Sequence, residues 1–265
     1  MSSLTIREVI RTLEEPVGLL ESTVDTLKSG SPDQRVTGIV TAFMPTQRVL
    51  EQAVALGANL VITHEGAYYS HHDPTGILEE DPVYLEKRRW IEASGLAIYR
   101  FHDYWHRYRP DGIMTGLLLS LDWEQYVAED QPAASIVEVP AMTVREAAAY
   151  VKSRLGLSFV RVSGELSMTC RRIGLLAGYR GGGGSAIPLF RNGQVDLIIA
   201  GEGPEWETPE YVRDAVHQGR PKGLIMLGHA ESEEPGMRYL AEELKSRFPG
   251  VQVHYLSDQA VFQVV

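Results

Sequence analysis

One segment of this chain occurs twice. Ala58-Asn-Leu-Val-Ile-Thr-His-Glu-Gly66 aligns with Val195-Asp-Leu-Ile-Ile-Ala-Gly-Glu-Gly203, an apolar run ending in both copies on Glu-Gly. A short apolar run bounded by turn-forming residues reads as a buried strand. In each copy a helical stretch follows, and then a second apolar strand runs into a histidine. The first is Leu96-Ala-Ile-Tyr-Arg-Phe-His102, the second Leu224-Ile-Met-Leu-Gly-His229. Two matches in the same order imply a duplicated α/β unit. The longer interval in the first copy requires an insertion near Ser70 to Asp81. Such a chain is expected to fold as two similar α/β domains related by pseudo-duplication, residues 1–130 and 131–265, with no inserted third domain.

The local signals agree with alternating strands and helices. Thr5 with Glu8, and Thr143 with Glu146, form capping boxes that open helices ending at Glu14 and Leu155. Helices are also expected over Thr46–Leu56, Asp81–Ser94, Pro209–His217 and from a Ser232 cap to Phe248. Strands are expected over Arg35–Ala42, Ala58–Thr63, Leu96–Phe101, Arg172–Ala177, Val195–Ala200, Gly223–Leu227 and Val251–Tyr255. The polar stretch Glu129–Pro140 lacks a clear period and reads as the joint between the halves.

Bulk properties narrow the function classes. The formal net charge of −10 argues against sequence-independent nucleic-acid binding, which needs a basic face. The single cysteine, Cys170, excludes an internal disulfide and a thiolate cage and fits a reducing cytoplasm. MSSLTIREVIRTLEE lacks the cationic and apolar succession of a secretory signal. No apolar run approaches the roughly 20 residues of a membrane span.

Open α/β sheets gather ligands outside the carboxyl ends of their strands. His64 and Glu65 stand at one such end, His102 and His106 follow another, and His229 and Glu233 follow a third. Imidazoles and carboxylates suit zinc, iron, manganese or nickel. Taken singly, each histidine reads more readily as a hydrogen-bonded core residue, so it is their recurrence at equivalent strand ends that carries the argument. His71 and His72, in a polar loop, are expected to be exposed rather than ligating. Arg100, Arg107, Arg109 and Arg180 are cations available to an anionic substrate. Arg180 precedes the run Gly181–Gly184, which reads as a tight turn more readily than as a phosphate cradle.

The segments ANLVITHEG, FHDYWH, AGYRGGGGSAI, VDLIIAGEG and GHAESEEPGMRYLAEEL resemble the NIF3-like family, whose members also carry the name GTP cyclohydrolase 1 type 2. The resemblance runs from about Pro16 to near the end of the chain. It implies two α/β domains, a pair of divalent metals in a cleft between them, and a ring-like homohexamer. It carries the ligand roles to His64, His229 and Glu233. The family pattern of two histidines after Thr63 becomes His64-Glu65 here, and its later Asp becomes His106. The metal set implied is therefore His64, Glu65, His106, His229 and Glu233, holding one or two divalent ions. Asp103 is a further substitute ligand. His102 is expected as a proton carrier beside the metal, and Arg100 and Arg180 as substrate contacts. The function expected is a cytoplasmic metal-dependent hydrolase acting on a nucleotide or other phosphorylated small molecule. The alternative is a non-catalytic metal-binding scaffold.

If the changes at Glu65 and His106 compensate one another, Glu65→His alone weakens metal binding and His106→Asp added to it restores binding. Metal affinities for the two single variants and the double variant form a closed cycle; simple additivity of the two losses would refute the coupling.

Overall fold

The computed structural model describes residues 4–72 and 76–265. In chain order its elements are α1 (Ile6–Glu14), β1 (Leu27–Ser29), β2 (Ile39–Ala42), α2 (Gln47–Ala55), β3 (Leu60–Thr63), α3 (Pro82–Ser94), β4 (Ala97–Arg100), α4 (Asp103–Arg107) and α5 (Gly112–Leu121). There follow β5 (Val127–Gln131), β6 (Ala134–Thr143), α6 (Val144–Leu155), β7 (Arg161–Gly164), β8 (Thr169–Leu176) and α7 (Gly183–Asn192). The last are β9 (Leu197–Ala200), α8 (Thr208–His217), β10 (Gly223–Met226), α9 (His229–Arg247) and β11 (Val253–Tyr255).

The strands form two sheets, in the orders β1-β4-β3-β2-β11 and β5-β6-β8-β9-β10-β7. The chain divides into two compact units, one of Met1–Gly112 with Met237–Gln263 and one of Ile113–Gly236. It thus leaves the first unit at Gly112 and rejoins it at Met237, within α9, where the sequence placed one boundary after residue 130. In the first unit β2, β3, β4 and β11 are parallel, and β1 pairs antiparallel with β4. In the second, β8, β9 and β10 are parallel, and β7 pairs antiparallel with β10. All four residues of β2, β3, β4, β9 and β10 are buried, as expected for parallel strands covered on both faces. Val40, Val61 and Ile98 pack with Leu50 of α2 and Ile91 of α3 in the first unit; Ile198 and Leu224 pack with Phe190 of α7 and Val212 of α8 in the second.

The duplication is visible in register. Leu60 pairs with Ile39 and Ala97, and Leu197 pairs with Ile173 and Gly223. The middle strands β3 and β9 occupy the same positions of the two aligned segments, so Glu65 and Glu202 are equivalent.

Both capping boxes form as the sequence requires. Two readings are corrected. Glu129–Pro140 is no joint: its residues lie in the antiparallel pair of β5 and β6 and their connection. The polar side chains that hid these strands belong to β5, which is exposed along its whole length. Ser232 does not open the last helix either. That helix begins at His229 and carries Ser232 and Pro235 within it. Within the expected insertion, residues 73–75 lie outside the described residues; a short 3-10 turn spans Gly76–Leu78.

Two helices of the second unit approach through glycine. A Cβ on Gly116 of α5 would lie 2.4 Å from the Pro235 carbonyl oxygen and 2.5 Å from Gly236 Cα, and a Cβ on Gly236 would lie 2.5 Å from Ile113 Cα. Glycine costs a helix up to about 1 kcal/mol relative to alanine. Overpacking against backbone costs about 1–3 kcal/mol, so the contact decides. Gly116→Ala is expected to lower the free energy of unfolding in urea, whereas Gly184→Ala in α7, with open space around its Cβ, is expected to leave it unchanged or raise it.

Candidate metal centre

The first unit gathers its titratable side chains where β3 and β4 end. β3 delivers Thr63 and then His64, which is fully buried. The His64 ring stacks on His102 with centroids 4.4 Å apart and meets His106 edge-on at 5.0 Å. His102 stands at the start of α4 and His106 within it, and their rings also meet at 5.0 Å. One nitrogen from each of His64, His102 and His106 lies within 4.8 Å of the others, close enough to hold one metal ion. Glu65, His71 and His102 form a second such group, with His102 common to both.

Buried groups fix this cluster. Arg100, the last residue of β4, is fully buried. Its guanidinium donates to Glu65 at 2.7 Å and to the His64 carbonyl at 3.2 Å, and it also donates to the His71 carbonyl. Asp25, buried just before β1, accepts from the backbone N–H groups of His102 at 2.8 Å, Asp103 at 3.0 Å and Tyr104 at 2.9 Å. A carboxylate from a distant segment thereby caps α4, whose own first residues make no side-chain cap.

Carboxylates also set the histidine tautomers. Asp103 bonds His102 Nδ1 at 2.9 Å, and Asp111 bonds His106 Nδ1 at 2.9 Å. In a neutral ring this places the hydrogen on Nδ1 and leaves Nε2 as the lone-pair nitrogen, the form that ligates metal. The hydrogen bond from His102, followed by that from the Val24 N–H, holds the Asp103 carboxyl well below the usual carboxylate range despite burial.

The second unit repeats the device at the start of α9. Glu202, following β9, bonds His229 Nδ1 at 2.8 Å. His229 Nε2 lies 3.1 Å from Glu233 Oε2, one helical turn on, and Glu233 is buried. Gly178, at φ +65°, makes room, since a Cβ there would meet Glu233 Oε1 at 2.1 Å. The Gly178 N–H donates to Ser232 Oγ, which donates in turn to the His229 carbonyl. The glycine run after Arg180 serves close backbone approach: a Cβ on Gly181 would lie 2.7 Å from the Glu202 carbonyl oxygen. The Glu207 carboxylate already accepts from the Gly183 N–H, at 2.6 Å, at the start of α7. The turn reading holds for this run, and an acidic side chain occupies the helix end that a phosphate would need.

The structure thus brings His64, Glu65, His102 and His106 together in the first unit, and His229 and Glu233 in the second. His102, expected to carry protons beside the metal, is shared by both candidate ligand groups. Arg100, expected at the substrate, is enclosed by its own contacts, and Arg180 sits partly buried in the turn before α7. His71 is exposed, as the loop composition suggests, yet its ring lies 5.1 Å from that of His102. Its ligating geometry, and the roles of Asp25, Asp111 and Glu202, escaped the sequence reading. A His-Glu pair beside an apolar strand was legible; carboxylates reaching in from distant loops had no local signature.

Fold and clusters together define a two-unit α/β protein whose parallel strands end on imidazole–carboxylate groups able to hold a metal ion. The Duf34/NIF3 (NGG1p interacting factor 3) family pattern matches residues 5–260, and the chain belongs to that family. It is 26% identical over 258 residues, 92% of each chain, to a "GTP cyclohydrolase 1 type 2 homolog" of Clostridium perfringens. It is 26% identical over 217 residues, 80% of each chain, to a protein of the same name from Escherichia coli K12. Among solved structures it superposes on a Bacillus cereus protein related to NIF3 with a TM-score of 0.78 at 15% identity, covering 100% of both chains. Staphylococcus aureus hypothetical protein SA1388 gives 0.75 at 18% identity, also over 100% of both. Among the described residues no helix is long and apolar enough to cross a membrane.

The loop carrying Glu65 and His71 is tied down by Lys87 of α3. This lysine is buried, donates to the Ala67 carbonyl at 2.7 Å, and lies 5.1 Å from the ring centre of Tyr69, whose φ is +56°. Burial pushes its ammonium down from 10.5 to about 8. Below the folded value both states carry the proton and the burial cost is constant. Between about 8 and 10.5 the unfolded chain holds the proton and the folded one does not, so stability rises with pH. Chemical denaturation from pH 7 to 11 is expected to show this rise in the wild type, and Lys87→Met is expected to remove it.

Proposed function

We propose that this protein is a metal-dependent hydrolase acting on a phosphorylated small molecule, nucleotides included. The observation that carries the reading is the group His64, His102 and His106, two of whose rings have a carboxylate on Nδ1. This donor set fits a divalent ion of the zinc, iron, manganese or nickel class. In the first unit His64, His102 and His106 would hold such an ion, with Glu65 and His71 serving a second through their shared neighbour His102. In the second unit His229 and Glu233 are the proposed ligands. When bound, a divalent ion supplies Lewis acidity toward a substrate oxygen and lowers the pKa of water.

The chain's own residues do the rest. Asp103 and Asp111 hold the imidazoles in their ligating tautomers. Arg100 keeps the Glu65 carboxylate aimed, because its buried charge needs that partner. Asp25 fixes the backbone from which His102 projects. The relatives' shared name makes GTP the first nucleotide to assay, beside simple phosphomonoesters. A homohexamer and a cytoplasmic setting complete the proposal.

Elemental analysis of the purified protein tests the ligand set. His64→Ala, His102→Ala and Glu233→Ala are each expected to lower bound metal sharply, Asp111→Asn to weaken affinity roughly 10–100-fold, and His72→Ala to leave both unchanged. Turnover of at least one member of a nucleotide and phosphoester panel is expected to vanish with chelator and return with added metal. Full metal occupancy with no turnover across that panel would overturn the hydrolase reading and favour an interaction protein.

A further inference from the structure

Arg100 grips His71 at two points. Its Nη1 donates to the His71 carbonyl, and its Nη2 lies 3.1 Å from Nδ1 of the His71 ring. The same Nη2 donates to Glu65 at 2.7 Å, so its two hydrogens serve one carboxylate and one imidazole. A guanidinium offers no lone pair and keeps its protons in a folded protein. It can only donate, and Nδ1 of His71 is therefore the accepting nitrogen. An imidazolium, or a neutral ring with hydrogen on Nδ1, would set N–H against N–H. The hydrogen of His71 is thus on Nε2. This is the reverse of His102 and His106, whose Nδ1 atoms face carboxylates and whose lone pairs are on Nε2. A cationic partner makes one ring a donor where anionic partners make two others ligands.

We infer that His71 is a substrate-contacting residue, whose Nε2–H donates to an anionic oxygen of the phosphorylated ligand held beside Glu65 and His102. The inference rests on the metal-dependent reading and deepens it. It specifies how His71 serves the second candidate position: through an N–H to what is bound there, and not through a lone pair. Three observations support it. His71 is exposed, and among the described residues its Nε2 has no hydrogen-bond partner, so the donor is available. One nitrogen of its ring lies within 4.8 Å of a Glu65 oxygen and a His102 nitrogen, and the His71 and His102 rings are 5.1 Å apart at 78°. The imidazole is small, so its N–H stays within reach of a molecule held at that group. The ring is also fixed beforehand, because the guanidinium that holds it is fully buried and bonded to Glu65 and the His64 carbonyl. A donor held in place before the ligand arrives costs little reorganisation, and a charged partner on Nδ1 polarises the ring and strengthens Nε2–H. Phosphoryl oxygens only accept, which matches the N–H and not a lone pair.

The test has three readouts on the full chain: nitrogen-15 spectra of the histidine side chains, metal content, and calorimetric binding of inorganic phosphate. The His71 signals are assigned by their loss in His71→Leu and are expected to show hydrogen on Nε2, where His102 and His106 show it on Nδ1. His71→Leu is expected to keep the wild-type metal content and to weaken phosphate roughly 10–100-fold. His71→Gln, whose amide nitrogen stands in for Nε2 as a donor, is expected to recover most of that loss. Both changes are at an exposed position, so folding is not at issue. Hydrogen on Nδ1 of His71, or metal content that falls in His71→Leu, overturns the inference and makes the residue a ligand. So does a wild type that binds no phosphate, or an equal loss of phosphate in both variants. Phosphate binding that depends on the His71 donor in a protein holding no metal supports the inference while removing the metal-dependent reading. Bound metal with phosphate affinity indifferent to His71→Leu does the reverse.

Discussion

The site of the first unit depends on one buried charge. Arg100 ends a central parallel strand, where water is excluded from both faces of the sheet. A guanidinium in such a place costs several kcal/mol of lost hydration, on the order of what is lost when a buried ion pair is broken. It is tolerated only where carboxylate and carbonyl groups surround it in fixed geometry. Glu65 supplies the carboxylate, and the backbone of His64 and His71 supplies the carbonyls. Satisfying Arg100 therefore fixes three residues of the candidate centre at once: the turn after β3, the Glu65 side chain, and the far end of the loop bearing His71. The positions of these candidate donors follow from neutralising this cation.

A second constraint acts from the opposite side. α4 is only five residues long and is too short to be stable by itself. Asp25 holds its first turn through three backbone N–H groups, so the direction of His102 and His106 is determined by a residue nearly eighty positions earlier in the chain. Carboxylates then finish the imidazoles one by one, Asp103 for His102 and Asp111 for His106. The site is thus built from outside inward: backbone clamp, helix, ring tautomer, lone pair.

Much of the frame could be read from the chain before folding. The capping boxes at Thr5 and Thr143, the central strands and the duplicated Glu-Gly segments are local patterns, and local patterns survive in sequence. What escaped detection was nonlocal or lacked a period. β5 is exposed and polar, so no alternation marks it. α5 is nearly uniformly apolar, which removes the amphipathic stripe that normally announces a helix. His71 looked like loop decoration because its loop is polar; the buried Arg100 and Lys87, drawing on the carbonyls of His71 and Ala67, bring that loop back to the cluster. Ser232 has the chemistry of a helix cap, but its hydroxyl is used inside α9 to bind Gly178 and the His229 carbonyl.

The two halves put one equivalent carboxylate to two different uses. Glu65 and Glu202 stand at the same offset from their strands, and pairing places Arg100 of β4 opposite Thr63 as it places Met226 of β10 opposite Ala200. Met226 carries no charge. With no guanidinium to neutralise, Glu202 is released to bond His229 Nδ1, and the imidazole takes over the role that the arginine fills in the first unit. The reverse holds for Glu65: bound to Arg100 at 2.7 Å, it lies 3.9 Å from His102 Nε2, beyond hydrogen-bonding range, and His102 takes its carboxylate from the neighbouring Asp103 instead. The identity of a single strand-terminal residue, arginine or methionine, therefore decides in each half whether the glutamate at this shared offset serves as a counter-ion or as a histidine's orienting partner.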